Sequence, residues 1–267
     1  MNTPTGLLAG KVALVSGVGP GLGFSASKAL CASGAHVVLT GRTQATLDRA
    51  ASAIEAEGFA GSVSVEVVDI ADASQCETAV EHALDRHDGI DVLVNNAHRA
   101  ATTASILDDD LGEWRAAMDV NYFGTLQMTG AVARCMVARR AGSIIFVSSM
   151  AMRETTEMLM PYAASKAATA TAMRGIAKEL GPYGIRANCI APGYIDTEAI
   201  RAKLARSAEL DGQTYAEARA TLEGRAALRF VPTADDVAGP IVFLASDLSK
   251  AVTGVVLDVN AGQWIVA

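Results

Sequence analysis

The chain has 267 residues, 51% of them apolar and 19% charged, which excludes a disordered chain and leaves ample volume for a buried core. A formal net charge of -7, without any compact cluster of Lys and Arg, excludes a nucleic-acid surface. The cysteines (Cys31, Cys76, Cys135, Cys189) are scattered with no C-x-x-C and no paired His, so neither a zinc site nor a disulfide framework is expected.

Along the chain, short apolar runs alternate with longer amphipathic stretches. The N-terminal MNTPTGLLAG lacks a charged start with an apolar signal core, and nowhere do 18 apolar residues run together. A cytoplasmic protein with no membrane partner is expected. The first strand is predicted over 12–16, followed by the glycine-rich turn SGVGPGLG at 16–23 and a helix over 22–33. Strands over 36–40, 63–69, 90–96 and 143–149 alternate with helices over 43–57, 74–87 and 111–139, whose end carries Arg139-Arg140 as a solvated pair. A helix over 161–181, strands over 185–192 and 254–259 and a helix over 234–246 complete the pattern. The strands are mostly continuous rather than alternating in polarity, as expected for a sheet buried on both faces. The rhythm predicts one α/β domain over 1–267, doubly wound and mostly parallel, with seven strands and helices on both faces. One polar, helix-prone excursion interrupts it at 197–225, read as a lid over the ligand cleft. The next helix opens with a T-x-x-D cap at Thr233 and Asp236.

Five features carry chemistry. A helix start with glycines before it offers free N–H groups to phosphate, and two spacings fit: Gly21-x-Gly23-x-x-Ala26, or Gly17-x-x-x-Gly21-x-Gly23. Tyr162 and Lys166 stand four apart on a predicted helix, so both side chains face one site. A cation there favours the phenolate and lowers the Tyr pKa towards neutrality. Ser149, with Ser148 as its rival, ends a strand where α/β sheets bind ligands. The 95–97 stretch Asn-Asn-Ala ends another strand, where amide side chains brace backbone. Asn121 lies inside an otherwise apolar helix, at a cost in propensity that calls for a hydrogen-bonded kink or a water site.

Taken together these residues resemble the short-chain dehydrogenase/reductase family from about residue 10 to 264. The family's T-G-x-x-x-G-x-G reads Ser16-Gly17-Val18-Gly19-Pro20-Gly21-Leu22-Gly23, which selects the second spacing. Its N-N-A-G reads Asn95-Asn96-Ala97-His98, and its P-G motif Pro192-Gly193, continuing to Thr197. The resemblance implies a Rossmann-type fold and a catalytic set of Asn121, Ser149, Tyr162 and Lys166. It implies cofactor contacts at Gly17, Gly21, Leu22, Gly23, Arg42, Asp69, Ile70, Asn96, Ala97, Tyr162, Lys166, Pro192, Gly193, Ile195 and Thr197. Tyr162 would exchange a proton with the substrate oxygen, Ser149 would orient it, and Asn121 would hold a water.

The resemblance also frames the cofactor and substrate. An acidic residue ending the second strand selects NAD; here Gly41 and Arg42 stand there, favouring NADP, although Pro20 occupies a place where relatives carry a second cation. The substrate would meet residues 98–105, 150–161 and Tyr194, with His98, Met150 and Met152 as contacts. Met158, Met160 and Met173 either extend that pocket or fill core gaps. His98, replacing a glycine, is a pocket wall or an extra base; nothing orients Arg153 or Glu154. The expected activity interconverts a secondary alcohol and a ketone on a hydrophobic small molecule. The alternatives are a 3-oxoacyl-carrier reductase, disfavoured by the negative charge, and a non-catalytic dinucleotide-binding regulator. The family further implies a homotetramer or homodimer, packing through 111–139, 161–181 and 254–264, although its D-G-G reads Asn260-Ala261-Gly262 here.

Overall fold

The computed structural model describes residues 6–100, 105–107, 111–155, 157 and 159–265. In chain order the main elements are β1 (Val12–Ser16), α1 (Leu22–Ala32), β2 (His36–Gly41), α2 (Gln44–Glu55), β3 (Ser62–Val67), α3 (Ala73–Arg86) and β4 (Val92–Asn95). Then come α4 (Gly112–Met118), α5 (Thr125–Arg139), β5 (Gly142–Val147), α6 (Met160–Leu180), β6 (Ile185–Pro192), α7 (Glu198–Leu210), α8 (Tyr215–Gly224), α9 (Ala234–Ala245) and β7 (Val256–Val259). The sheet order is β3-β2-β1-β4-β5-β6-β7, and each pairing is parallel. The chain winds outward from β1 to β3, then returns to place β4 on the other side of β1. That switch point opens a crevice at the strands' C-terminal ends.

Successive strand residues point to opposite faces, and both faces are covered. Val15, Leu39, Ile145 and Ile190 pack on α1, α2 and α9 through Leu30, Leu47, Ile241 and Leu244. Leu14, Val38, Phe146 and Cys189 pack on α3, α5 and α6 through Val80, Met128, Met136 and Met173. Double burial is why the inner strands β1, β2, β4 and β5 show little polar alternation, whereas edge strand β3 reads SVSVEV and is only half-buried. Met173 is thus a core filler, not a pocket residue. All four cysteines are unpaired; burial raises the Cys76 and Cys189 thiols to about 11, which makes them inert.

Several expected boundaries move. The 143–149 strand ends at Val147, leaving Ser148 and Ser149 beyond the ladder. The 111–139 helix is broken: residues Asp119–Gly124 form a π-helical stretch between α4 and α5. The 197–225 excursion folds as two helices, α7 and α8, capped by Thr197 and by a Thr214–Glu217 capping box. The Thr233–Asp236 cap forms as the spacing predicts. Arg139 and Arg140 are exposed, but both are engaged: Arg139 pairs with Asp91, and Arg140 donates to the Pro182 carbonyl. Among the described residues no helix is long and apolar enough to cross a membrane, and no group of three or more metal-ligating side chains gathers.

Candidate active site

The glycine loop follows β1, and three of its glycines are required by geometry. Gly17 has φ 76, and a Cβ there would meet Ala97 Cα at 2.4 Å; a Cβ on Gly23 would meet the Gly17 carbonyl oxygen at 2.4 Å. Gly21 has φ 103 and begins α1 with no side-chain cap; Phe24 N–H donates back to the Gly19 carbonyl at 3.3 Å, which leaves the Leu22 and Gly23 N–H groups for an anion. A Cβ on Gly19 would meet nothing within 4 Å. Gly17→Ala is therefore expected to destabilise the fold by more than about 2 kcal/mol, and Gly19→Ala by less than about 0.5 kcal/mol, in thermal or denaturant unfolding.

The loop is held in place by groups from three strand ends. The Gly17 and Val18 N–H groups donate to the Thr40 carbonyl at 2.9 and 2.8 Å. Asn96 Nδ2 donates to the Gly17 carbonyl at 2.7 Å, while Ser16 Oγ accepts from the Asn96 and Ala97 N–H groups. Ser16 thus does with a hydroxyl what the family's Thr offers. Asn95 instead turns inward to Thr129 Oγ1. Gly17, Leu22, Gly23, Arg42, Asp69, Ile70, Asn96, Ala97 and His98 line one cleft of about 600 Å³. Asp69 shapes its wall by accepting from Ala71 N–H. Thr43 and Thr46 also line it, although single threonines at a helix start have no distinctive spacing in the sequence.

Beyond the cleft, β5 and α6 bring the other predicted residues together. Tyr162 and Lys166 lie one turn apart on α6, with Lys166 Nζ 5.8 Å from the Tyr162 ring centroid. Lys166 is buried, and its Nζ donates to the Val147 carbonyl at 2.8 Å. The Ser149 hydroxyl hydrogen-bonds the Tyr162 phenol and accepts from Ala151 N–H. Ser148 is buried and turns away, donating to the Lys166 carbonyl at 3.0 Å, with Met152 Sδ 3.2 Å from its hydroxyl. The two serines therefore face different partners: Ser149 the Tyr162 phenol, Ser148 the backbone of α6. The expected direction of the Tyr162 shift is corrected: burial raises the phenol above its ordinary value, and only the Ser149 hydrogen bond opposes this. The physical reason is that the same burial that brings Lys166 close also desolvates the phenolate, pushing Lys166 itself down to about 8.

Asn121 sits in the π-helical stretch, where the widened turn frees backbone and side chain from the helix ladder. Its Oδ1 accepts from Arg99 N–H at 2.7 Å, and its Nδ2 donates to Ser165 Oγ at 2.9 Å and the Arg99 carbonyl at 3.2 Å. Ser165 in turn donates to the Tyr162 carbonyl. Asn121 thus ties the loop after β4 to the turn of α6 that carries Tyr162. Its own carbonyl accepts from Thr169 Oγ1. Neither Ser165 nor Thr169 stood out in the sequence, since their partner lies 44 and 48 residues away.

His98 is open to solvent at the cleft wall, yet its pKa is lowered to about 4 by the surrounding protein and by the Lys166 cation. Its Nδ1 lies 3.3 Å from the Asn96 carbonyl, an acceptor, so Nδ1 carries the proton and Nε2 is left as an acceptor. On the far side, Pro192 ends β6; a Cβ on Gly193 would collide with Gln263 Oε1, which accepts from Tyr194 N–H at 2.9 Å. Gln263 is a brace for the P-G segment that no local spacing announced. Ile195 packs on the core, and Thr197 Cγ2 faces Gly21. Met150, Met152 and Met160 are half-buried around the Tyr162 helix start, whereas Met158 and residues 101–104 lie outside the described residues. Arg153 is oriented after all: it pairs with Asp258 at 3.2 Å and stacks over Trp264, fastening the segment after Ser149 to β7. Ala261 adopts φ 54 where the family has glycine, a departure with a strained backbone.

The short chain dehydrogenase family profile matches residues 11–208. The chain is 34% identical over 255 residues to human (Homo sapiens) dehydrogenase/reductase SDR family member 4, covering 96% of this chain and 88% of that protein. It is 35% identical over 260 residues to the 3-oxoacyl-[acyl-carrier-protein] reductase FabG of Thermotoga maritima, covering 97% and 99%. A short-chain type dehydrogenase/reductase from Mycobacterium ulcerans superposes with a TM-score of 0.88 at 31% identity, covering 96% and 90%. A profile spanning most of the chain, full-length relatives and a seven-stranded parallel sheet agree: this chain belongs to the short-chain dehydrogenase/reductase family and is an oxidoreductase.

Proposed function

We propose that the chain is an NADP(H)-dependent oxidoreductase interconverting a secondary alcohol and a ketone on a hydrophobic small molecule. The observation that carries this reading is the hydrogen-bonded Ser149–Tyr162 pair beside buried Lys166, next to a cleft with a glycine cradle. The cradle fits a dinucleotide: Gly17, Gly21 and Gly23 are held open where any Cβ would strain or clash, and Asn96 and Ala97 flank them. The nicotinamide would supply or accept the hydride when bound. Tyr162 exchanges a proton with the substrate oxygen, which Ser149 holds. Lys166 supplies the neighbouring positive charge and would bind the nicotinamide-side ribose. Asn121 fixes the Tyr162 turn through Ser165. At neutral pH a raised phenol and a Lys166 near 8 give the proton-donating state, which supports ketone reduction. Half-buried Met150 and Met152, with Tyr194 and His98, would form the pocket wall. A panel of ketones and alcohols followed by nicotinamide absorbance tests the reading; cofactor binding without turnover of any of them would favour a regulator.

The cofactor choice rests on Arg42. It is exposed on the cleft wall, forms no ion pair among the described residues, and follows Gly41, which brings no carboxylate. Thr43 begins α2 with its hydroxyl not used in capping, and Arg42, Thr43 and Thr46 line the same cleft, which supports a phosphate site there. Arg42→Ala is expected to raise KM for NADP about ten- to a hundredfold, leaving KM for NAD within twofold, in steady-state kinetics. An unchanged NADP preference would remove Arg42 from the account.

A second reading, reduction of carrier-bound 3-oxoacyl groups, is favoured by the full-length match to the Thermotoga maritima reductase. The net charge of -7 opposes docking of an acidic carrier. Comparing a carrier-bound thioester with the free ketone separates the two. Exposed Phe123, within 111–139, and exposed Val255, within 254–264, lie on surfaces through which a homotetramer would pack and support that assembly.

A further inference from the structure

The α7–α8 pair leaves the main body at Asp196 and returns at Pro232. These two residues close the base of the excursion, with the Asp196 N–H donating to the Pro232 carbonyl at 2.8 Å. The Asp196 side chain, 14% exposed, reaches both helices at once. Its Oδ1 accepts from Arg201 Nε on α7 at 2.6 Å, and its Oδ2 from Arg219 Nη2 on α8 at 3.1 Å. Arg219 is further fixed by Glu223 at 2.8 Å and by the Tyr215 hydroxyl. The next residue, Thr197, caps α7 with its hydroxyl and faces Gly21 of the glycine loop with its methyl. On the return side, Ala227 and Leu228 N–H groups donate to the Gly262 and Ala261 carbonyls.

We propose that Asp196 is a positioning residue: its carboxylate clasps α7 and α8 to the Pro192–Gly193 segment, so that both helices bear on the glycine loop as one body. One residue supplies every element such a clasp needs. Its amide fixes the hinge point, and its two oxygens each hold one helix through a charge-assisted bond. A neutral amide at this position keeps one acceptor and turns an NH2 towards the other guanidinium, which has only donors to offer. The clasp then opens on one helix. A closed clasp would also slow release of a nucleotide held by the glycine loop; that part rests on the oxidoreductase reading, and the clasp itself does not.

Two measurements on the full chain test it. Without nucleotide, Asp196→Asn is expected to speed amide hydrogen exchange across α7 and α8 about tenfold, the scale of one charge-assisted bond, with the sheet strands unchanged. With NADPH as the probe, its dissociation measured by stopped-flow fluorescence is expected to accelerate about tenfold. The deuterium isotope effect on kcat should stay equal or rise, because release limits turnover less. Asp196→Glu should recover most of the wild-type exchange. The Arg201→Gln/Arg219→Gln double variant should speed exchange at least as much as Asp196→Asn, and adding Asp196→Asn to it should change nothing more. Wild-type exchange rates in α7 and α8 of Asp196→Asn, or full additivity with the arginine variants, would overturn the proposal. If wild-type protein binds neither NADPH nor NADH, the functional reading fails, while the exchange arm still decides the clasp.

Discussion

Tyr162→Phe is expected to lower kcat about a thousandfold while nicotinamide cofactor affinity changes less than about threefold. The substitution keeps the ring and removes only the hydroxyl, whose partner is Ser149. No cleft wall is altered, since Tyr162 does not line the glycine cradle. A thousandfold corresponds to about 4 kcal/mol of transition-state stabilisation, within the range of a positioned general acid. Steady-state turnover and a fluorescence titration of cofactor check the two halves separately. Retained wild-type turnover would remove Tyr162 from the proton-transfer role.

The second large effect is expected from Lys166→Met, which keeps the length of the side chain and deletes its charge. Turnover should fall about a hundred- to a thousandfold, and cofactor affinity should fall with it, because the proposed roles of Lys166 cover both. The pH profile carries the sharper test. Burial lowers Lys166 to about 8, so the wild-type reduction rate should decline as pH rises through 8 and the cation beside Tyr162 is lost. This break belongs to the coupled pair. In Lys166→Met only the phenol remains to titrate; burial places it above its ordinary value of 10, so the alkaline break should move upward. Stability follows the same sign. The folded state releases the Lys166 proton near 8 and the unfolded chain near 10.5, so the unfolded state binds more protons between those values. Relative to Lys166→Met, wild-type stability should therefore rise from pH 8 to pH 10.5 in denaturant titrations. A break that stays near 8 in the variant would assign it to another group.

The sequence by itself determined the alternation of strands and helices, because strands buried on both faces read as uninterrupted Val- and Ile-rich runs. It also determined the pairing of Tyr162 with Lys166 and the Thr233–Asp236 cap, since both depend only on spacing within one helix. The glycine register was legible once several distant motifs were read together, and the clash that a Cβ at Gly17 or Gly23 would cause gives its physical cause. Tertiary structure decided what depends on distant partners. Asn121 sits in a π-helical stretch, its side chain held by Arg99 and Ser165, 22 and 44 residues away. Gln263 braces Tyr194 across 69 residues, and Arg153 finds Asp258 and Trp264 on the last strand and tail. The sign of the Tyr162 shift belongs to this second group as well. A four-residue spacing announces a nearby cation, but only the folded surroundings weigh that charge against the desolvation of the phenolate, and here desolvation wins.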